Sequence, residues 1–178
     1  MDLGFSEPQQ MLKTSAREFL ARECPPALVR AMEEDPQGYT AELWQKMAGL
    51  GWSALAFPEK YGGAGGSFLD LIILLEEMGR ALLPGPFFST VVLGGAAILE
   101  AGSEAQKQDL LPRVCQGQLI LALALTEPSA TYEPWGVQLG ARCGGDQVDL
   151  DGRPDADPRR LQLRSQPGRG GQRAAHPP

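Results

Sequence analysis

Apolar residues recur at helical spacing through the first two thirds of the chain. Leu12, Ala16, Phe19 and Leu20 fall at i, i+4, i+7 and i+8, one stripe of a helix. Ser6 with Gln9 forms a capping box ahead of that stripe, Pro8 suits its first turn, and Pro25-Pro26 ends it. A second stripe, Leu43, Trp44, Met47 and Leu50, predicts a helix from near Thr40 to Gly51. The run from Phe57 to Gly66 holds too many glycines for an element interior and reads as a loop. Ser67 opens a third helix, through about Leu82. Its Leu71, Ile72, Leu74, Leu75 and Met78 are apolar on more than one face, which predicts a central place in a bundle. Pro84-Gly85-Pro86 stops it. Phe87 to Leu99 predicts another apolar helix, in which Gly94-Gly95 lets a neighbour approach closely. Ser103 with Gln106 caps a short helix carrying Leu110, Leu111 and Val114, with a kink expected at Pro112.

The pattern changes at Gln118. Leu119 to Leu125 is short, apolar and bounded by a glycine and a proline, as a buried strand would be. Val137 to Cys143 and Gln147 to Leu150, separated by Gly144-Gly145-Asp146, read as a hairpin. The expected architecture is therefore mainly α: a helical bundle over 1–117, the opening strands of a β-domain over 118–152, and a tail over 153–178. Three short strands do not close a sheet with its own core. The tail, rich in Arg, Gly, Pro and Gln, has the composition of a disordered segment.

Charge sharpens that division. The tail carries six arginines against two aspartates, whereas the residues before it hold ten basic and twenty acidic groups. An acidic body argues against nucleic acid as a main partner, because phosphate binding requires clustered Lys and Arg. The abrupt shift in composition within a strand pattern reads as a change of reading frame after Gly152. Cys24, Cys115 and Cys143 lie far apart with no metal-ligand spacing, and His176, the single histidine, sits in the tail. The N-terminus lacks a basic segment followed by an apolar run, and no apolar stretch reaches bilayer length. The expected protein is soluble and cytoplasmic.

Two features invite functional readings with structural alternatives. Gly62 to Gly66 resembles a phosphate-cradling loop only loosely, since no strand precedes it and no Lys-Ser/Thr pair follows; turn chemistry accounts for it better. Glu76-Glu77 could pass for paired acid/base carboxylates, but adjacent helical positions diverge, so a solvated face or a helix-packing salt bridge is the simpler reading.

Several segments carry a family resemblance in order along the chain. They are Leu50-Gly51-Trp52 before Phe57-Pro58-Glu59-Lys60-Tyr61-Gly62-Gly63-Ala64-Gly65, then Glu76-Glu77-Met78-Gly79, then Gly102-Ser103-Glu104-Ala105-Gln106-Lys107 with Leu111-Pro112, and finally Leu125-Thr126-Glu127-Pro128. With the amphipathic first helix, this sequence resembles the acyl-CoA dehydrogenases from about residue 1 to about residue 152. The resemblance implies an N-terminal helical domain and the start of a middle β-domain. It implies FAD as cofactor, an acyl-CoA as substrate and α,β-dehydrogenation to the trans-2-enoyl-CoA as reaction. It also implies homo- or hetero-oligomeric association with dehydrogenase subunits.

By the same resemblance Leu123, Leu125 and Thr126 face the flavin, with Thr126 the hydrogen-bond donor. From the residues alone, Leu123 and Leu125 are equally ordinary strand core and Thr126 merely opens a turn. After Thr-Glu-Pro the family continues with a glycine-rich run, where this chain has Ser129-Ala130-Thr131-Tyr132-Glu133, so Tyr132 takes the small hydroxyl residue's place on the substrate side. No catalytic residue is assigned, because the family's catalytic carboxylate belongs to a C-terminal domain beyond the resemblance. The expectation is a truncated acyl-CoA dehydrogenase that is inactive alone, or a non-catalytic subunit or relic that pairs with a complete one.

Overall fold

The computed structural model describes residues 4–123, 140–144 and 147–151, and the chain divides into two compact units, with Ala122 in the first and Leu123 in the second. The first unit is helical. Helix α1 (Glu7–Glu23) starts at the expected capping box: the Gln9 amide donates to Ser6 Oγ and the Ser6 amide donates to Gln9 Oε1 at 3.0 Å. It buries Ala16 and Leu20 and packs mainly on α4 (Phe68–Arg80). Pro26 does more than end α1. It occupies the first turn of a further helix, α2 (Pro26–Glu34), where its missing amide costs nothing and its fixed φ suits the helix. The sequence reading took the proline pair only as a stop and missed α2.

Helix α3 (Ala41–Gly49) is capped by Thr40, whose hydroxyl accepts from the Leu43 amide, and it buries Leu43, Trp44 and Met47. Helix α4 has a capping box of its own between Ser67 and Asp70. It buries Leu71, Ile73, Leu74, Glu77 and Met78, yet among the described residues nothing covers its other apolar face. Phe68 is 65% exposed, and Leu69 and Ile72 are nearly half exposed. The expected central position is therefore only half realised. Phe88–Gly95 is a π-helical stretch that runs directly into α5 (Ala96–Ala101), and α6 (Glu104–Cys115) follows its predicted capping box and continues through Pro112. Trp44, Phe57, Leu74, Leu111 and Leu119 lie in one core, and Trp44 Nε1 donates to the Gly117 carbonyl at 2.7 Å.

In the described part of the 119–125 run, where a strand is expected, Leu119 makes a single β-bridge and 120–123 carry no regular element; residues 124 and 125 lie outside the described residues. The alternation survives in part: Leu119 and Leu121 are buried and Leu123 is 42% exposed. The hairpin is present in the second unit, where β1 (Gly140–Gly144) pairs antiparallel with β2 (Gln147–Asp151), Gly140 opposite Asp151 and Gly144 opposite Gln147. The tail over 153–178 lies outside the described residues.

Candidate functional site

The glycine loop can be decided by following its amides. Gly62, Gly63, Ala64, Gly65 and Gly66 donate to the carbonyls of Glu59, Pro58, Ala54, Phe57 and Leu55 respectively. Five consecutive N–H groups are thus consumed inside the loop, and none of them is left to cradle a phosphate. The loop is a structural turn, tied to α6 by the Tyr61 hydroxyl donating to Glu104 at 2.9 Å. That bond also holds the Glu104 carboxyl below its usual range.

Glu76 and Glu77 separate as their helical positions require. Glu77 is 1% exposed and receives Arg17 Nε at 2.9 Å and Nη2 at 2.8 Å, the bidentate geometry that a guanidinium fork favours. Arg80 Nε lies 3.3 Å away, and Lys13, 3.9 Å from Glu77, bonds Glu76 at 3.0 Å. The Arg17 hydrogen bonds outweigh burial and hold the Glu77 carboxyl below the ordinary carboxylate range. A carboxylate locked in that way is no general base. It fastens α1 to α4.

A third arrangement lies at the exit of the helical unit. Thr90, on the π-helical stretch, is fully buried; its Oγ1 accepts from the Leu121 amide at 3.1 Å and donates to the Leu121 carbonyl at 3.3 Å. One hydroxyl therefore satisfies both backbone groups of a residue that has no strand partner described. Gly94, one turn further along, makes room for the same residue, since a Cβ there would lie 2.5 Å from Leu121 Cβ. A Cβ on Gly95 would lie 2.5 Å from Phe57 Cζ. The close approach read from Gly94-Gly95 is thereby identified: Leu121 on one side and Phe57 on the other. Inserted residues that make π-helical turns recur at functional positions in helices, where they re-aim side chains.

The sequence reading missed Thr90. Its signal was a hydroxyl pair, Ser89 and Thr90, within the apolar run from Phe87 to Leu93; Ser89 bonds the Pro86 carbonyl three residues back, whereas Thr90 needs a buried partner that only the fold supplies. Of the residues expected to face a flavin, Leu123 ends the described segment with its side chain partly exposed, while Leu125, Thr126 and Tyr132 lie outside the described residues. Cys24 and Cys115 are buried free thiols; burial pushes the first up and the second up to about 11. Among the described residues no group of His, Cys, Asp and Glu is arranged to hold a metal ion, and no helix is long and apolar enough to cross a membrane.

The sequence profile of the acyl-CoA dehydrogenase N-terminal domain matches residues 6–118, well over half of the chain. The chain belongs to the acyl-CoA dehydrogenase family. It is 38% identical over 120 residues to the acyl-CoA dehydrogenase IpdE2 of Mycobacterium tuberculosis, covering 67% of this chain and 37% of that protein. Among solved structures it resembles the ChsE4–ChsE5 complex from Mycobacterium tuberculosis (TM-score 0.73, 28% identity, 85% of this chain and 40% of that one). It also resembles the FAD complex of an acyl-CoA dehydrogenase from Bacillus anthracis, with TM-score 0.71 and 27% identity over 83% of this chain and 26% of that one. The chain thus spans about two fifths or less of these relatives. Within that span the family's helical architecture is the one described here.

Proposed function

We propose that this chain supplies the helical wall and the first flavin-side residues of an FAD-dependent acyl-CoA oxidoreductase, whose reaction is α,β-dehydrogenation of an acyl-CoA thioester to the trans-2-enoyl-CoA. The observation that carries the reading is the Thr90 clamp on Leu121. It fixes the backbone two residues before Leu123, in a family member whose helical domain matches from residue 6 to 118. Leu123 and Leu125 would give apolar contacts to the flavin ring and Thr126 a hydroxyl donor, and Tyr132 would face the acyl-CoA. The partly exposed Leu123 suits that role, because apolar surface left open at a chain exit is available to a flat apolar ring. FAD, when bound, supplies the acceptor for the β-hydrogen leaving as hydride; the base that removes the α-proton is not assigned on this chain.

Because the catalytic base is not among the assigned residues, the chain alone is expected to be inactive. The test is the purified chain with an acyl-CoA panel and an artificial electron acceptor, run beside flavin quantification. No turnover fits the proposal. Acyl-CoA-dependent dye reduction by the chain alone would overturn it.

A second reading has its own observation. The uncovered face of α4, with Phe68, Leu69 and Ile72, favours a non-catalytic subunit that pairs with a complete acyl-CoA dehydrogenase. Co-purification with a full-length dehydrogenase, lost on Ile72→Lys, supports it. A monodisperse monomer in the presence of that dehydrogenase counts against it.

A further inference from the structure

The face of the bundle formed by α1, α2 and the end of α4 holds a groove of about 390 Å³ that neither the flavin-side residues nor the α4 apolar face touches. Its walls are apolar, with Leu20, Val29 and Leu82 among them, and Arg17, Arg30 and Arg80 stand around it. Against these three guanidinium groups the lining has one carboxylate, Glu77, which is buried and already engaged. The groove is therefore cationic on a chain whose net charge is −6.

Each arginine keeps donors to offer. Arg17 spends Nε and Nη2 on Glu77, and Arg80 places Nε 3.3 Å from Glu77 and Nη2 3.7 Å from Glu76; both side chains remain half exposed and keep further N–H groups. Arg30 is exposed, and no ion pair is described for it. It is the guanidinium most open to an incoming anion, on the helix that also carries Val29.

The third observation is Leu82. Helix α4 closes with the hydrogen bonds of a Schellman ending: the Leu82 amide donates to Gly79 at 3.1 Å and the Leu83 amide to Met78 at 3.0 Å. The residue that must be left-handed in this ending is usually glycine, yet here it is leucine at φ 52°, with 70% of its surface exposed. The chain accepts a strained backbone to hold an apolar side chain in water at the lip of a groove. Local strain retained without compensating packing points to a use for the side chain.

We propose that this groove binds an amphiphilic carboxylate, its alkyl tail against Leu20, Val29 and Leu82 and its head group on Arg30 with the outer edges of Arg17 and Arg80. The volume lies at the small end of the range for small-molecule sites and suits a medium-length alkanoate. The site does not depend on the flavin assignment, and the two succeed or fail separately.

The test is calorimetric titration of octanoate into the full chain, with acetate and octylamine as controls. Octanoate binds, acetate binds far more weakly because it lacks the tail, and octylamine does not bind. Arg30→Gln, at an exposed position with no described contact to lose, weakens octanoate about tenfold. Leu82→Gly also weakens it while raising thermal stability, a combination that general damage to the fold would not produce. No heat with octanoate overturns the proposal, as does equal binding of octanoate and acetate, or an affinity unmoved by Arg30→Gln. If octanoate fails while Arg30→Gln weakens association with a dehydrogenase partner, the groove is a protein contact and the proposal is also overturned.

Discussion

Replacing Thr90 with valine preserves the shape of the side chain and removes one hydroxyl. The consequence is unusually well defined, because that hydroxyl is the described partner of both the Leu121 amide and the Leu121 carbonyl, at 3.1 and 3.3 Å. Valine brings a methyl group of similar volume, so no cavity forms and the packing contribution stays near zero. Two backbone groups on a buried residue lose their partner instead. Leaving a buried polar group unsatisfied costs about 1–3 kcal/mol, and two such groups sum to about 2–4 kcal/mol once partial escape of the segment toward water is allowed. Thr90→Ser is the control. It retains both bonds and loses one buried methyl, about 1 kcal/mol. Thermal denaturation followed by far-UV circular dichroism should place Thr90→Val about 8–15 °C below the parent, with Thr90→Ser only a few degrees below. Hydrogen exchange at the Leu121 amide should accelerate in the valine variant and stay near parental in the serine variant. If valine proves as stable as serine, or the Leu121 amide keeps its protection, the clamp is not what holds this segment.

Gly94→Ala should destabilise by about 1–3 kcal/mol through overpacking on Leu121, despite alanine's better helix propensity, and its effect should not add to that of Thr90→Val because both loosen the same residue. Leu82→Gly should stabilise by about 1 kcal/mol in urea denaturation, since glycine suits the left-handed end of α4 and the leucine side chain buries little. Ser53 Oγ is buried and has no hydrogen-bond partner among the described residues, so Ser53→Ala should be neutral or stabilising by up to about 1 kcal/mol by the same denaturation; a clear loss would reveal a partner for it. The Arg17 hydrogen bonds hold the folded Glu77 pKa below its unfolded value, so this contribution is complete above about pH 4.3 and fades as pH falls through the folded value. Stability measured down that acid range should therefore fall less steeply in Glu77→Gln than in the parent.

What could be read from the sequence followed from how local each determinant is. The caps at Ser6, Thr40, Ser67 and Ser103 act within four residues, and each opens a helix where expected. Turn chemistry at Gly62 to Gly66 is equally local, and its five amides return to carbonyls no more than eleven positions away. Pro26 was misread because proline at a first helical position and proline as a helix stop look alike from one side. The 119–123 segment is harder to read for a different reason. Its alternation is that of a strand, but the described partner of Leu121 is a side chain 31 residues earlier in the sequence. A helix-packing salt bridge is legible as one reading of Glu76-Glu77, but its partner Arg17, sixty positions away, carries no local signal. Family resemblance reached farther than periodicity in naming a reaction and a cofactor. The residues that the resemblance puts beside the flavin and the substrate, Leu125, Thr126 and Tyr132, fall beyond the first unit and outside the described residues.

The uncovered face of α4 connects the sequence pattern to assembly. A helix apolar on several faces is stable only when each is covered, and here α1 and the core cover one while Phe68, Leu69 and Ile72 remain in contact with water. Fully burying side chains of this size yields about 1.5–3 kcal/mol each. All three are already partly shielded, so about 3–4 kcal/mol remains to be gained together by covering them. That is too little to set affinity alone, because association costs at least as much in lost freedom of motion. It is enough to set where a partner surface sits once other contacts form. Ile72→Lys places a charge at the middle of this face while leaving the buried face of α4 intact. It should therefore leave the unfolding transition of the isolated chain nearly unchanged and act only on association. A variant that unfolded the chain instead would show that the face is already covered within the protein, and the second reading would lose its support.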